Sequence, residues 1–260
     1  SDQLVQAWLD GDWNAIEGAF FDCWSQRRHV IDPIPIPIDW ARFRSADWGF
    51  AKPFSIGWWA IVGADTKVRN GVMLPRGCMV RYREWYGVIP DQPNVGVRLT
   101  AEEVAAGIKK REDDAKEVGM HGVIDPSAFA QDGGPAIAER MGIAGAWFNR
   151  ADNKRVAASG ALGGWDMMRN RLKGESEDRP MVVCFSTCKD SIRTIPSLQH
   201  DQDRPEDLDT EAEDHAADDW RYGCMSRPWM PPVKTVEKPK NPSGYRVYDD
   251  HERLDDWKAM

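Results

Sequence analysis

The chain has 260 residues, 42% of them hydrophobic and 29% charged, and carries a net charge of −8. This size suits one large domain or a domain with appendages, and the balance is ordinary for a soluble globular protein. No apolar run reaches the 18 residues that a transmembrane helix needs, and the N-terminal SDQLVQAWLDGDW lacks the basic-then-apolar order of a signal peptide. Five scattered cysteines (Cys23, Cys78, Cys184, Cys188, Cys224) are odd in number, which points to reduced thiols in a cytoplasmic setting.

The negative charge argues at first against a nucleic-acid partner, but it is unevenly spread. Residues 199–260 hold 16 acidic and 9 basic side chains, a balance of −7, so the rest of the chain is near neutral at −1. Within that rest, residues 149–173 carry Arg150, Lys154, Arg155, Arg169, Arg171 and Lys173 against only Asp152 and Asp166, a local +4. Such a segment can grip phosphates, and a solvated loop and helix face is the plainer reading of the same charges.

In chain order, residues 1–29 read as helical pieces broken at Gly11 that start in mid-pattern, as the tail of something preceding. Residues 30–38 alternate Ile and Pro and predict an extended, non-central segment, because proline offers no N–H to a ladder. Strands are expected over 42–48, 55–64 (apolar on both faces, hence central) and 78–88, with a polar turn at 65–69. Thr100 and Glu103 form a capping box for an amphipathic helix running to about Val118 and ended by Gly119. A buried strand follows at Val123–Asp125, then a helix over 135–141, a short strand at 146–148 and a basic helix over 156–172. A strand at 181–185, a helical stretch over 188–198 broken at Pro196, and a helix over 211–225 complete the body. From Pro228 onward the chain is proline-rich and charged, and reads as an extended or partly disordered tail. Three consecutive strands followed by alternation predict an antiparallel meander extended by parallel strands, with helices on the faces.

Asp47 breaks this pattern. Aspartate is a poor strand residue and costly to bury unpaired, yet RSADWGF places it where a strand should enter the sheet. Asp125 repeats the placement at the end of Val123-Ile124. Asp214 and Asp218 lie four residues apart, on one face of the last helix. Two strand-end carboxylates and a helix pair converge if the strands are neighbours and the helix crosses them. Crowded carboxylates raise one another's pKa, and hard divalent cations such as Mg²⁺ or Mn²⁺ suit an all-oxygen donor set. Two such ions can activate water and stabilise the leaving oxygen of a phosphodiester. Each aspartate also has a local reading: a turn residue for Asp47, an Asx turn or cap for Asp125, a first-turn helix charge for Asp214.

Together DWGFAKPFSIGWW, GVIDPSAF and EDHAADDWRYGCMSRP resemble the three acidic motifs of the nuclease domain of phage large terminase subunits, over roughly residues 30–228. The resemblance implies an α/β, ribonuclease H-like fold: a central mixed sheet, its first three strands antiparallel, with helices on both faces. It implies an endonuclease that cuts concatemeric double-stranded DNA with two Mg²⁺ or Mn²⁺ ions. By position, Asp47 is the first metal ligand and Asp125 the second, and Asp214 with Asp218 supplies the rest. Many relatives have two adjacent aspartates where this chain reads Asp214-His215, so His215 is a further contact, whether ligand, proton shuttle or solvent-facing helix residue.

The implied partners are DNA, the portal protein, the small terminase subunit and an ATPase motor. Residues 1–29 would be the end of that motor or its linker, 30–228 the nuclease domain, and 229–260 an acidic, proline-rich tail for docking. The setting would be the host cytoplasm, with no membrane. No G-x-x-x-x-G-K-[ST] occurs in the chain, so no ATPase activity is expected. Cys184 and Cys188 lack the second pair of a zinc site, His121 reads as a surface or capping residue, and Trp58 and Trp59 as core, one per face. Trp147 and Trp165 flank the basic segment and read as packing or as base-stacking platforms. Arg221 and Tyr222 are expected to lock the last helix onto the sheet. Two other readings stand beside this one: a resolvase or transposase core, and a non-catalytic packaging module that grips DNA or docks to the portal.

Overall fold

The computed structural model describes residues 18–68, 71–131, 133–157 and 162–229. Its strands are β1 (Val30–Ile31), β2 (Arg42–Asp47), β3 (Ser55–Ile61), β4 (Thr66–Lys67), β5 (Met73–Leu74), β6 (Met79–Tyr86), β7 (Val88–Ile89), β8 (Gln92–Gly96), β9 (His121–Ile124), β10 (Asn149–Arg150) and β11 (Val182–Phe185). Its helices are α1 (Gln26–His29), α2 (Ala101–Asp114), α3 (Ile137–Ile143), α4 (Gly164–Lys173), α5 (Lys189–Thr194) and α6 (His215–Ser226).

Among the described residues one seven-stranded sheet runs in the order β1-β11-β6-β3-β2-β9-β10. The meander β2-β3-β6 is antiparallel, while β9, β10, β11 and β1 add in parallel. β3 is buried at six of its seven positions, as its run of Ile, Trp and Ala requires of a central strand. Proline-rich residues 32–38 leave only Val30 and Ile31 to pair, so that segment sits at the sheet edge.

Side-chain alternation assigns the two faces. Trp58 turns to one face, where its Nε1 donates to Glu112 of α2 at 3.0 Å. Trp59 turns to the other and meets Trp220 of α6 edge-on, with ring centroids 5.1 Å apart. Helices therefore cover both faces. α2 starts where the capping box predicts: Glu103 N–H donates to Thr100 Oγ1 at 3.3 Å, and Thr100 N–H to Glu103 Oε2 at 2.8 Å.

A buried polar network pins α6 to the sheet. Arg81 of β6 and Asp219 of α6 are both fully buried and lie 2.7 Å apart. Asp219 also accepts from Ser55 Oγ at 2.8 Å and from Ser45 Oγ, and Ser45 accepts from Trp59 Nε1 at 2.7 Å. Glu84 takes the other side of Arg81 at 3.3 Å. Arg81 crosses β3 only because residue 57 is glycine, since a Cβ there would lie 1.8 Å from Arg81 Nη1.

Several boundaries differ from the sequence reading. Residues 18–29 are not a detached lead-in: Phe20, Phe21 and Trp24 are buried in the core. The short strand expected at 146–148 forms at Asn149–Arg150 instead, after Ala146 and Phe148 have packed inward. The basic helix begins at Gly164 rather than Val156; part of the expected first turns, 158–161, lies outside the described residues. The last helix begins at His215, because 209–212 form a turn held by Asp209. The expected turn at 65–69 opens the small β4–β5 hairpin, and a second hairpin, β7–β8, escaped the sequence reading. Residues 1–17 and 230–260 lie outside the described residues. Trp229 does not: it is partly buried against the core, and its N–H faces Met167 Sδ at 3.3 Å.

Candidate active site

β2 and β9 are adjacent and parallel, with Ala46 paired to Ile124. Asp47 and Asp125 therefore end neighbouring strands at the same level, and Asp125 N–H still donates to Ala46 O at 3.3 Å. Asp47 falls on the face that Ser45 presents to α6, so the last helix lies across it. Asp125 is held as the cap of a 3₁₀ turn at Pro126–Phe129, its Oδ1 accepting from Ser127 N–H at 2.5 Å. Its second oxygen accepts a short hydrogen bond from Tyr222 Oη.

α6 supplies the remaining groups from its first two turns. His215 Nδ1 lies 3.1 Å from Asp47 Oδ2, and His215 Nε2 lies 3.1 Å from Asn94 Oδ1 of β8. Asp214 Oδ2 accepts from Arg155 Nη2 at 3.0 Å, and Asp218 Oδ2 lies 3.4 Å from the same nitrogen. Arg221 donates to Asp218 Oδ1 from Nε at 3.0 Å and from Nη2 at 2.7 Å. Asp47, Asp214 and Asp218 thus share one electrostatic neighbourhood, and Tyr222 links it to Asp125.

The electrostatics separate these acids. Burial, reinforced by the charges of Asp218 and Asp214, lifts the Asp47 carboxyl to about 7 against the pull of His215. Burial and the Asp218 charge lift Asp214 to about 6, with His215 and Arg155 opposing. Burial also resists ionisation of Asp125, but the hydrogen bonds from Ser127 and Tyr222 outweigh it and hold that carboxyl below its ordinary range. Burial works against the His215 imidazolium, and the bond to Asp47 with the charges of Asp47, Asp214 and Asp218 raises its pKa nonetheless.

Among the described residues no three His, Cys, Asp or Glu side chains form a ready-made metal cage. The donors nevertheless fit a hard cation in kind. They are carboxylate oxygens, and burial, with the neighbouring acids behind it, disfavours the ionised forms of two of them, a cost that a divalent counter-charge relieves.

The basic segment is not brought together as one surface. Arg150, Lys154 and Lys173 are exposed, with the Arg150 guanidinium 4.6 Å from the Phe129 ring centroid. Arg171 is 3% exposed and donates to Met181 O at 3.1 Å, so it belongs to the interior and is withdrawn from the surface set. Arg169 is half-buried, 4.0 Å over Phe20 and donating to Phe20 O at 3.1 Å. Arg155 faces the acidic site. It also borders a cleft of about 500 Å³ that Trp165, Arg169, Lys173, His200 and Glu206 help to line. Trp165 is buried, donating to Asp207 Oδ1 at 2.8 Å, and Trp147 is 67% exposed. Cys184 is core, and Cys188 Sγ lies 3.3 Å from Arg81 O.

Asn94, Arg81, Asp207 and Asp219 were missed in the sequence. Asn94 adopts a left-handed φ of 60° within β8, and Pro90-Asp91, with Asp91 at φ 62°, could have signalled the tight turn that opens this strand. For Arg81 and Asp207 no local signal exists.

No family model and no curated protein matches the sequence. Solved structures do. The nuclease domain of the large terminase of bacteriophage P22 is 14% identical, with a TM-score of 0.57 over 81% of this chain and 93% of that one. The large terminase of a thermophilic bacteriophage is 20% identical, with a TM-score of 0.56 over 80% of this chain and 45% of that one. The ADP complex of the same terminase gives 21% identity and a TM-score of 0.54 over 79% and 44%. The chain thus spans less than half the length of the thermophilic phage's protein and nearly all of the P22 domain. The shared fold is ribonuclease H-like: a mixed central sheet between helical layers, as the resemblance implied.

Proposed function

We propose that the chain is the nuclease domain of a viral genome-packaging motor, a divalent-metal-dependent endonuclease that cuts concatemeric double-stranded DNA. One observation carries this: Asp47 and Asp125 end adjacent parallel strands and both reach the last helix, Asp47 through His215 and Asp125 through Tyr222, beside its cap residue Asp214 and Asp218, on a fold shared with large terminase nuclease domains. Asp47, Asp125, Asp214 and Asp218 would hold two Mg²⁺ or Mn²⁺ ions, with His215 as a further contact. Bound there, the ions would supply water activation and stabilisation of the leaving 3′-oxygen.

The chain's own groups divide the remaining work. Tyr222 and Ser127 keep Asp125 ionised, and so ready to ligate at neutral pH. His215 orients Asp47 and ties it to the β7–β8 hairpin through Asn94. Arg150, Lys154 and Lys173 would hold the DNA backbone, contacts that carry no base sequence and predict cutting with little sequence preference. This reading takes 30–228 as the nuclease domain, 1–29 as the end of an ATPase motor or its linker, whose Phe20, Phe21 and Trp24 pack into the core, and 229–260 as a docking tail. It also includes the portal protein and the small terminase subunit as partners, and action in the host cytoplasm. No described helix is long and apolar enough to cross a membrane.

Replacing Asp125 with Ala should abolish Mn²⁺-dependent plasmid cleavage while the circular dichroism spectrum stays native. Undiminished cleavage by that variant would sink the assignment. The pairing of Arg155 and Arg221 with Asp214 and Asp218 favours a second reading, a non-catalytic module in which the acids only organise α6. Absence of any Mn²⁺-induced thermal shift would select it.

A further inference from the structure

Arg155 sits between two destinations. Its Nη2 bridges Asp214 Oδ2 at 3.0 Å and Asp218 Oδ2 at 3.4 Å, the pair that α6 presents one turn apart. Its Nε is buried without a hydrogen-bond partner, and the nearest acid on that side, Asp207 Oδ1, is 3.8 Å away. The side chain is 23% exposed and borders the cleft of about 500 Å³, to which Arg169 and Lys173 contribute and, on the acidic side, Asp22, Asp166 and Glu206. Its backbone is fixed: Gly164 N–H donates to Lys154 O at 2.9 Å, and Trp165 N–H to Arg155 O at 3.1 Å. The guanidinium lies 5.2 Å from the Trp165 ring centroid, a flat face over which it can pivot. Movement here is therefore a matter of the side chain alone.

Asp218 does not depend on Arg155, because Arg221, 2% exposed, already clamps it with two nitrogens. Arg155 is the outer, removable charge. A divalent cation taking the oxygens of Asp214 and Asp218 would stand within a few ångströms of the guanidinium, and like charges that close repel strongly where water is scarce. The two cations compete for the same carboxylates, and the loser has a route into the cleft.

We propose that Arg155 is an exchange residue: it neutralises Asp214 and Asp218 while the site is metal-free, and metal loading turns it into the cleft to take a DNA backbone phosphate. The proposal rests on the nuclease reading of the site. Its consequence is that metal and Arg155 oppose each other at Asp214, while metal and DNA support each other through Arg155. The second coupling is reciprocal: DNA tightens metal binding as much as metal tightens DNA binding.

The test uses the 260-residue chain, wild type and with Arg155→Gln or Arg155→Lys. Mn²⁺ affinity without DNA is measured by titration calorimetry. Duplex affinity across a salt series is measured by fluorescence anisotropy, once in Ca²⁺ and once in EDTA. Arg155→Gln should bind Mn²⁺ about fivefold more tightly than wild type. Its salt slope for duplex binding should be shallower by about 0.9 in Ca²⁺, one phosphate contact, and unchanged in EDTA. Arg155→Lys should tighten Mn²⁺ less and keep the wild-type slope, because a point charge still meets a phosphate but bridges two carboxylates poorly. A purely structural arginine would not split the two slopes by metal. Equal or weaker Mn²⁺ binding by Arg155→Gln, or a slope lost equally in Ca²⁺ and EDTA, overturns the exchange. A wild type that binds no Mn²⁺ overturns the reading of the site itself, and the exchange with it.

Discussion

Asp218 and Asp219 are consecutive residues of α6 with opposite circumstances. Asp219 points into the sheet and is matched: Arg81 at 2.7 Å, two serine hydroxyls, and no exposed surface. Asp218 is held by Arg221 and Arg155 beside Asp214 and Asp47, where three acids share three cationic partners. Burial lifts Asp214 to about 6 and Asp47 to about 7, and it lifts the enclosed Asp219 to about 6 as well. A buried charge with its full set of partners holds a helix in place. A group of half-enclosed acids that share their partners carries a desolvation cost that a divalent cation can offset. The difference between a structural and a candidate catalytic aspartate is here one residue of helical phase.

The sharpest way to break the comparison is to strip the matched region of its cation. Arg81→Met leaves Asp219 buried and uncompensated and should cost about 3–5 kcal/mol in urea unfolding. A loss under about 1 kcal/mol would mean that Asp219 is not matched as described.

The candidate site should respond in the opposite sense. Asp47 has a folded pKa of about 7, above its ordinary 3.8, so its protonated form favours folding. That contribution is complete below about pH 4 and is lost as pH rises through 7. Asp47→Asn cannot ionise. In EDTA it should match wild type near pH 4 and exceed it by something on the order of 2 kcal/mol above pH 7. Thermal melts across that range measure the gap, and a gap that narrows with rising pH would contradict the burial that lifts this carboxyl.

The smallest effect tests the link between the two strand ends. Tyr222→Phe removes the hydroxyl from Asp125 and should cost about 1 kcal/mol. The carboxyl should then titrate higher, as followed by NMR. An unchanged Asp125 titration would leave its ionisation to Ser127 alone.

What was legible in the sequence was mostly local. The capping box at Thr100 and Glu103, the central burial of β3, and the edge position of the Ile-Pro segment follow from backbone donors and side-chain periodicity within a few residues. The three acidic stretches were also legible, because an aspartate closing an apolar run breaks a local rule. The misses lie where local signals compete. Val156 and Ala157 suit a helix, yet the chain starts α4 only at Gly164, where the backbone packs against Arg221 and a Cβ would lie 2.5 Å from its Cγ.

The basic segment marks the division most clearly. Six cations in 25 residues suited a phosphate-gripping segment or a solvated loop and helix face, and composition could not choose between them, because charge in a sequence has no direction. Folding sent Arg171 inward to backbone carbonyls, laid Arg169 on Phe20, turned Arg155 onto the acids and left three cations outside. By itself the sequence determined which residues break the strand pattern and where the three meander strands and the capped helix run, since both depend on neighbours along the chain. Only the tertiary structure decided that β2 lies beside β9, that Asp219 turns inward onto Arg81, and that Arg155 answers Asp214 and Asp218. Those outcomes depend on strand order and helix rotation, which are fixed by packing between residues far apart in sequence.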